Sequence, residues 1–260
     1  MSTSIAIMQP TYLPWIGYFD LMDQVDCFIL LDDVQFVKQS WHHRNRIKTP
    51  KGLEWLTVPV KSKGRFGQKI IDVEIREPQF AKTHENNIER YYSHAACYSS
   101  YSTALQELYK QISGFSHLGD VNLLMIRFLS ESFGIVTPIY RSSDTPSIVT
   151  RTHRLAEICR YYGAQTYISP MGAFQYLLQE KEVLQTHGVK LMFHNYTHPI
   201  YHQCYLPFLA HAAGIDLLFN EGTKSLEILR SGRSEPIPAE IVEMNVNGYE
   251  MESGSGNSIT

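Results

Sequence analysis

Two adjacent acids, Asp32 and Asp33, followed by Gln35 and then by Trp41, His42, His43, Arg44, Asn45 and Arg46, gather many reactive side chains into a short stretch. Paired carboxylates can orient a hydroxyl or amine, accept a proton or hold a cation, and arginine forks match phosphate or carboxylate oxygens. In an extended segment Arg44 and Arg46 share one face, with His43 and Asn45 on the other. The bland alternative is mutual neutralisation of these charges on a surface hairpin. With Lys38, Lys48, Lys61, Lys63 and Arg65 the stretch forms a local positive strip on a chain of formal net charge -3. That strip suits a phosphorylated small molecule. With 23 basic against 26 acidic side chains, no broad footprint for duplex nucleic acid is expected.

A second candidate is QPTYLPWIGYF, beginning at Gln9 and Pro10. Between a strand and a helix such a loop offers backbone amides to an anion, and Tyr12, Trp15 and Tyr18 could wall a flat ring or a sugar. Packing of a proline-stiffened loop is the alternative. His194, His198 and His202 recur every fourth residue, but Asn195 and Pro199 forbid the helix that would align them on zinc, so no metal is expected. His198, flanked by Tyr196, Tyr201 and Gln203, is read as a general base or a substrate partner, and equally as a satisfied loop histidine. His84, on a predicted helix, is a candidate of the same kind. Ser169 and Gly172 in YISPMGA lie where a phosphate or carboxylate loop would, although the string is neither GxGxxG nor GxxxxGK[ST]. No GxSxG elbow or cysteine-centred signature is present. The four cysteines are far apart in sequence and read as reduced, buried residues.

These residues need elements to position them. Ser4 to Met8 reads as a strand, Pro10 and Pro14 hold off a helix until Trp15, and Cys27 to Leu31 reads as a buried strand, giving a βαβ opening. Asp32 and Asp33 then stand at a strand's carboxyl end, where open α/β sheets place ligands. A hairpin is expected around Pro50-Lys51-Gly52, pairing Arg46 to Thr49 with Leu53 to Val60. Helical spacing follows over 80–92 and 102–115, then a helix from an Asp120 N-cap to Phe133, closed by Gly134. Strands are expected at 135–140, 166–168 and 190–194, and helices at 151–162, up to His187, and at 207–219.

The expected fold is α/β with a parallel sheet: a Rossmann-like or nucleotidylyl-transferase-like N-terminal part, a helical middle and a second α/β part. Residues 1–232 are read as one unit, or two lobes near 1–115 and 116–232, with a flexible polar tail over 233–260. At 43% hydrophobic and 19% charged residues, a core needs no disulfides. No apolar run reaches the roughly 18–20 residues of a bilayer span, and Met1 to Ile7 lacks signal-peptide character, so a cytoplasmic protein without membrane insertion is expected. A homodimer is left open.

The strings IAIMQPTYLPWIGYFDLM, CFILLDDVQFVKQSWHHRNRIKT, WLTVPV, HRLAEICRYYGAQTYISPMGA, NYTHPIYHQ and DLLFNEG, in this order along most of the chain, resemble the WbqC-like family. The resemblance implies a bacterial protein of O-antigen or lipopolysaccharide assembly that attaches an acyl group, or an amino acid such as glycine, to a sugar. SPMGA stands where that family reads closer to SGPGA. QPTYLPWIGYF is also loosely similar to the opening of nucleotidylyl transferases and pantothenate-synthetase-like ligases, with Trp15 and Tyr18 in place of the two histidines of their ATP-binding HxGH motif. The expected activity is transfer to the amine of a nucleotide-linked amino sugar. His198 or Asp33 would deprotonate the amine, and Asn45 or loop amides would stabilise the oxyanion. Arg44, Arg46 and Lys61 would hold the diphosphate, and Tyr12, Trp15 and Tyr18 would stack on base or sugar. The cofactor is unassigned; an acyl-CoA or acyl-carrier thioester is the expected donor, with ATP ranked below it. The alternatives are a non-catalytic protein binding a nucleotide sugar or glycan precursor, and an ATP-dependent amide-forming ligase using Asp32 and Asp33.

Overall fold

Strands β1 (Ser4–Met8) and β2 (Cys27–Leu30) carry apolar side chains on both of their faces, as strands covered from two sides must. They pair in parallel, Ile5 opposite Cys27 and Met8 opposite Leu30. Ala6, Phe28 and Leu30 enter one core while Ile5, Ile7, Cys27 and Ile29 enter the other, so the sheet is the middle of three layers. The computed structural model describes residues 3–145, 147 and 149–245.

Helix α1 (Ile16–Asp23) links β1 to β2. Between β2 and the next sheet strand come the hairpin β3 (Arg44–Thr49) and β4 (Gly52–Thr57), then α2 (Phe80–Tyr92), α3 (Tyr98–Ile112) and α4 (Leu118–Phe133). The chain continues through β5 (Ile139–Arg141), α5 (Arg151–Tyr161), β6 (Thr166–Ser169), α6 (Phe174–Gln179), α7 (Lys181–Thr186) and β7 (Lys190–Tyr196). It ends with α8 (Gly214–Glu221), α9 (Ser225–Ser231), β8 (Arg233–Pro238) and helical residues 239–245. The large sheet has the order β5-β2-β1-β6-β7-β8, all parallel except β8. Taking β5 to β8 as its third to sixth strands, the order is 3-2-1-4-5-6, the doubly wound arrangement, and it reverses between β1 and β6. The α/β expectation with a parallel sheet therefore holds.

Several boundaries differ from the sequence reading. Helix α3 starts at Tyr98 rather than at residue 102, and α4 is capped at His117, leaving Asp120 free to pair with Arg141 at 2.7 Å. Strand β5 begins only at Ile139. Residues 207–213 are not helical, because their polar groups are taken by neighbours: the Leu209 amide donates to Gln203 Oε1 at 2.9 Å and the Ala213 amide to the Arg46 carbonyl at 2.8 Å.

The expected tail from residue 233 is corrected as well. Arg233 to Pro238 add an antiparallel strand to β7, and the polarity that suggested fraying is consumed by carboxylates of α1. Arg233 Nε donates to Asp20 Oδ1 at 2.8 Å, Asp20 Oδ2 meets His194 Nε2 at 2.7 Å, and Asp20 is fully buried. Arg230 grips Asp23 with two bonds of 2.8 Å. Residues 246–260 lie outside the described residues. No helix among the described residues is long and apolar enough to cross a membrane. Asp20→Ala should cost on the order of 1–3 kcal/mol in urea unfolding, because it removes the buried acceptor of His194 Nε2 and Arg233 Nε while Arg233 keeps its pairing with Asp23.

Candidate functional site

At the reversal point β1 runs into Gln9, β2 into Asp32 and Asp33, and β6 into Pro170, so these loops crowd the carboxyl edge of the sheet. A cavity of about 420 Å³ opens there between Gln9, Trp41, His42, Gly172 and Tyr176. It shares Met8, Thr11 and Trp41 with a chamber of about 330 Å³ walled by Trp15, Tyr18, Asn45, Arg46 and His211. On its other side it shares Gln9, Leu31, Leu155 and Tyr176 with a chamber of about 990 Å³ that carries Asp33, Gln35, Lys69 and Arg154. The three form one cleft. A groove of about 770 Å³ between α2 and α3 lies away from it and has no strand-end residue.

The loops are held by side chains that satisfy their buried carbonyls. Asn45 Nδ2 donates to the Leu13 carbonyl at 2.6 Å, and Asn45 Oδ1 accepts the Arg46 amide at 2.8 Å. Asn122 of α4 donates to the Pro10 and His42 carbonyls at 3.3 and 2.8 Å. Asn45 thus touches the cleft, but its amide oxygen and one of its two N–H donors are spent on holding the loop.

Tyr12 and His84, expected against the ligand, are core residues joined at 2.8 Å. The Tyr12 hydroxyl also meets the Tyr109 hydroxyl at 2.8 Å, so Tyr109, Tyr12 and His84 form one buried chain of hydrogen bonds. It pins the loop to α2 and α3.

Arg46 lies 5.4 Å from the Trp41 ring and 5.5 Å from Trp55, and Arg44 lies 4.2 Å over Trp55. Among the described residues neither arginine has a carboxylate partner. Their charge is spread over indole faces instead. Trp15 stacks on His198 with centroids 5.9 Å apart and meets His211 edge-on at 5.0 Å. Its ring folds back over Gly17, where a Cβ would lie only 2.2 Å from the indole, so only glycine permits this pose.

His198 does not line the cleft. It sits behind Trp15, its Nδ1 donates to the Pro199 carbonyl at 2.8 Å, and its Nε2 is buried without a partner. The histidine that does line the chamber is His211, whose pKa is held down by partial burial and by Arg46. At the cleft's centre, Val37 donates its amide to His42 Nδ1, so His42 Nε2 donates to Gln9 Oε1 at 2.8 Å. Gln9 then turns its NH₂ group the other way. Burial, with His43 beside it, pushes His42 down to about 4.

Asp33 is paired with Arg154 at 2.9 Å and accepts from Ser142. Asp32 accepts from Ser143 at 3.0 and 3.1 Å, while burial pushes its pKa up. Lys61 pairs with Glu74 at 2.7 Å away from the cleft. Tyr201 and Gln203 both bond Asp216 at 2.7 Å beneath the hairpin, Tyr196 bonds the Leu229 carbonyl at 3.1 Å, and Ser169 is buried with its hydroxyl on the Pro170 carbonyl. Pro10 is likewise buried. Gln9, Trp15, Tyr18, Asp33, Gln35, Trp41, Asn45, Arg46 and Gly172 are the expected residues that reach the cleft, with Arg44 beside them.

Thr11, Arg151, Arg154, Tyr176 and His211 were missed. Arg154 had a signal, an arginine on the apolar stripe of the 151–162 helix with Leu155 and Ile158. His211 had none, because its neighbours read as helix. The non-glycine residues with left-handed backbone among the described residues are Leu13, Gln39 and His211 in loops and Arg151 at the start of α5 (φ 47° to 63°), and Arg151 and His211 line the cleft. Such strain persists where surrounding structure enforces it, and it clusters at ligand sites.

The protein is thus an α/β protein with a doubly wound sheet and an aromatic, arginine-bearing cleft at its switch point, the place where open α/β sheets bind ligands. The chain belongs to the WbqC-like protein family, whose profile matches residues 9–228. It is 36% identical over 227 residues to the uncharacterized protein Rv1507c of Mycobacterium tuberculosis, covering 87% of this chain and 97% of that protein. No solved structure matches it.

Two outcomes follow from this geometry. His42 and His84 both fall to about 4 from 6.5, so the unfolded chain binds more protons between those values. Stability should be fully present above pH 6.5 and fall as pH drops toward 4, by about 3 kcal/mol per histidine, in urea titrations across that window. Gly17→Ala should displace the Trp15 indole and shift tryptophan fluorescence with little loss of helix by circular dichroism.

Proposed function

We propose that the protein is a transferase joining an acyl or aminoacyl group to the amine of a nucleotide-linked amino sugar held in this cleft. The observation that carries the reading is Arg46, a cation without a carboxylate partner among the described residues, set among Trp15 and Trp41 at the switch point. Indole faces take a base or sugar ring, and arginine forks take phosphate oxygens. Arg44, held over Trp55, supplies a second fork beside it.

Acyl transfer to nitrogen needs a base for the amine proton and donors for the oxyanion. His211 fits the first role, since its lowered pKa keeps it neutral and it shares a chamber with Arg46. The Gln9 amide, aimed by His42, fits the second. Asp33 is better suited to orienting Arg154 than to taking a proton. The donor would be a coenzyme A or carrier thioester entering through the larger chamber. One observation favours a non-catalytic binding protein instead: Asn45 and Asp33 are engaged within the fold and His198 is shielded. An ATP-dependent ligase fits less well, because Asp32 and Asp33 already bond serines and an arginine.

The test pairs UDP-, GDP-, dTDP- and CMP-linked amino sugars with thioesters and looks for an amide by mass spectrometry. Arg46→Gln should weaken sugar-nucleotide binding by about ten- to a hundred-fold, the loss expected for charge-assisted hydrogen bonds. His211→Gln should keep binding within about two-fold and lower turnover at least about a hundred-fold. Binding without product from any pair would favour the binding protein, and no binding at all would remove the cleft from the reading.

A further inference from the structure

We infer that the large chamber holds a second oxyanion site, for a phosphate ester or pyrophosphate, at the N-terminal end of α5 and separate from Arg44 and Arg46. It does not depend on the transfer reaction proposed above. Helix α5 has 11 residues, and its N-cap Thr150 is extended and makes no side-chain cap, so the first-turn N–H groups lack the usual protein acceptor. As a crossover helix between two parallel strands, α5 starts at the carboxyl edge of the sheet, where its end opens into the cleft.

The independent observation is Arg154, which is only 5% exposed yet lines this chamber. Its Nη2 is fully used, by Asp33 at 2.9 Å, by the Thr145 carbonyl at 3.2 Å and by the Ser142 carbonyl. Its Nη1 is buried with no acceptor among the described residues. A desolvated guanidinium nitrogen without an acceptor is costly, and an oxyanion at the helix start would remove that cost. Lys69 and Arg151 line the same chamber, exposed and without ion pairs among the described residues. The acids facing it are engaged: Asp33 with Arg154, and Glu180 as acceptor of the Thr152 hydroxyl. Helix-start amides with arginine and lysine are the donor set of phosphate sites.

The experiment titrates full-length protein with inorganic pyrophosphate at constant ionic strength and follows backbone amides by NMR. Saturable shifts are expected at residues 151–154. Lys69→Gln with Arg151→Gln, both at exposed positions outside the core, should weaken this binding at least about ten-fold, whereas Arg44→Gln with Arg46→Gln should change it less than about three-fold. Arg154→Gln should abolish it where that variant folds. No saturable shift at α5, equal loss in the Arg44 and Arg46 pair, or equal affinity for acetate would overturn the proposal. Coenzyme A and UDP then compete with pyrophosphate: displacement by either supports the site and identifies its source, and displacement by neither overturns the phosphate assignment. A failure confined to Arg46 binding, with the α5 shifts intact, would count against the proposed function alone.

Discussion

Buried backbone that leaves a sheet must still find hydrogen-bond partners, and the site of this protein is built around that constraint. Beyond β1 the chain meets two prolines and a left-handed Leu13, so no regular element can absorb its carbonyls. Asn45 from the hairpin takes the Leu13 carbonyl and Asn122 from α4 takes those of Pro10 and His42. The Gly214 amide of α8 meets the Pro14 carbonyl at 2.7 Å. Three elements distant in sequence are thereby fixed to one irregular loop, and Trp15, Tyr18 and Gln9 acquire defined positions because of it.

The hairpin supplies the charge. Arg44 and Arg46 fall on one face of β3, opposite Thr57 and Trp55 of β4, and their guanidinium groups rest on indoles rather than on carboxylates. An arginine so placed is oriented without being neutralised, a condition suited to receiving an anion. His42 and His43 grip the preceding loop by accepting the Val37 and Gln39 amides, tying the pose of Trp41 to neutral imidazoles. The fold and the cleft therefore share one set of polar contacts.

Much of this was readable along the chain. Apolar runs and proline positions located β1, α1 and β2, and a Pro-Lys-Gly turn located the hairpin, because these signals are local. The same habit of reading failed at residues 207–213 and 233–238. Alanine and leucine there suggested a helix and polar residues suggested a tail, but hydrogen bonds to the hairpin and ion pairs to α1 decided otherwise. Tyr12 and Trp15 are near neighbours of similar chemistry, yet one is sealed in the core by His84 and Tyr109 and the other walls the cleft.

The sequence by itself determined the α/β class, the βαβ opening, the positive hairpin and the family, since each rests on composition, spacing or uncommon strings of residues. Tertiary structure alone decided which polar residues remain available. Asn45, Tyr201 and Gln203 spend hydrogen bonds internally, Lys61 is paired on the surface, and His198 sits behind Trp15 while His211 lines the cleft, because the exposure and engagement of a polar group depend on partners brought together by folding.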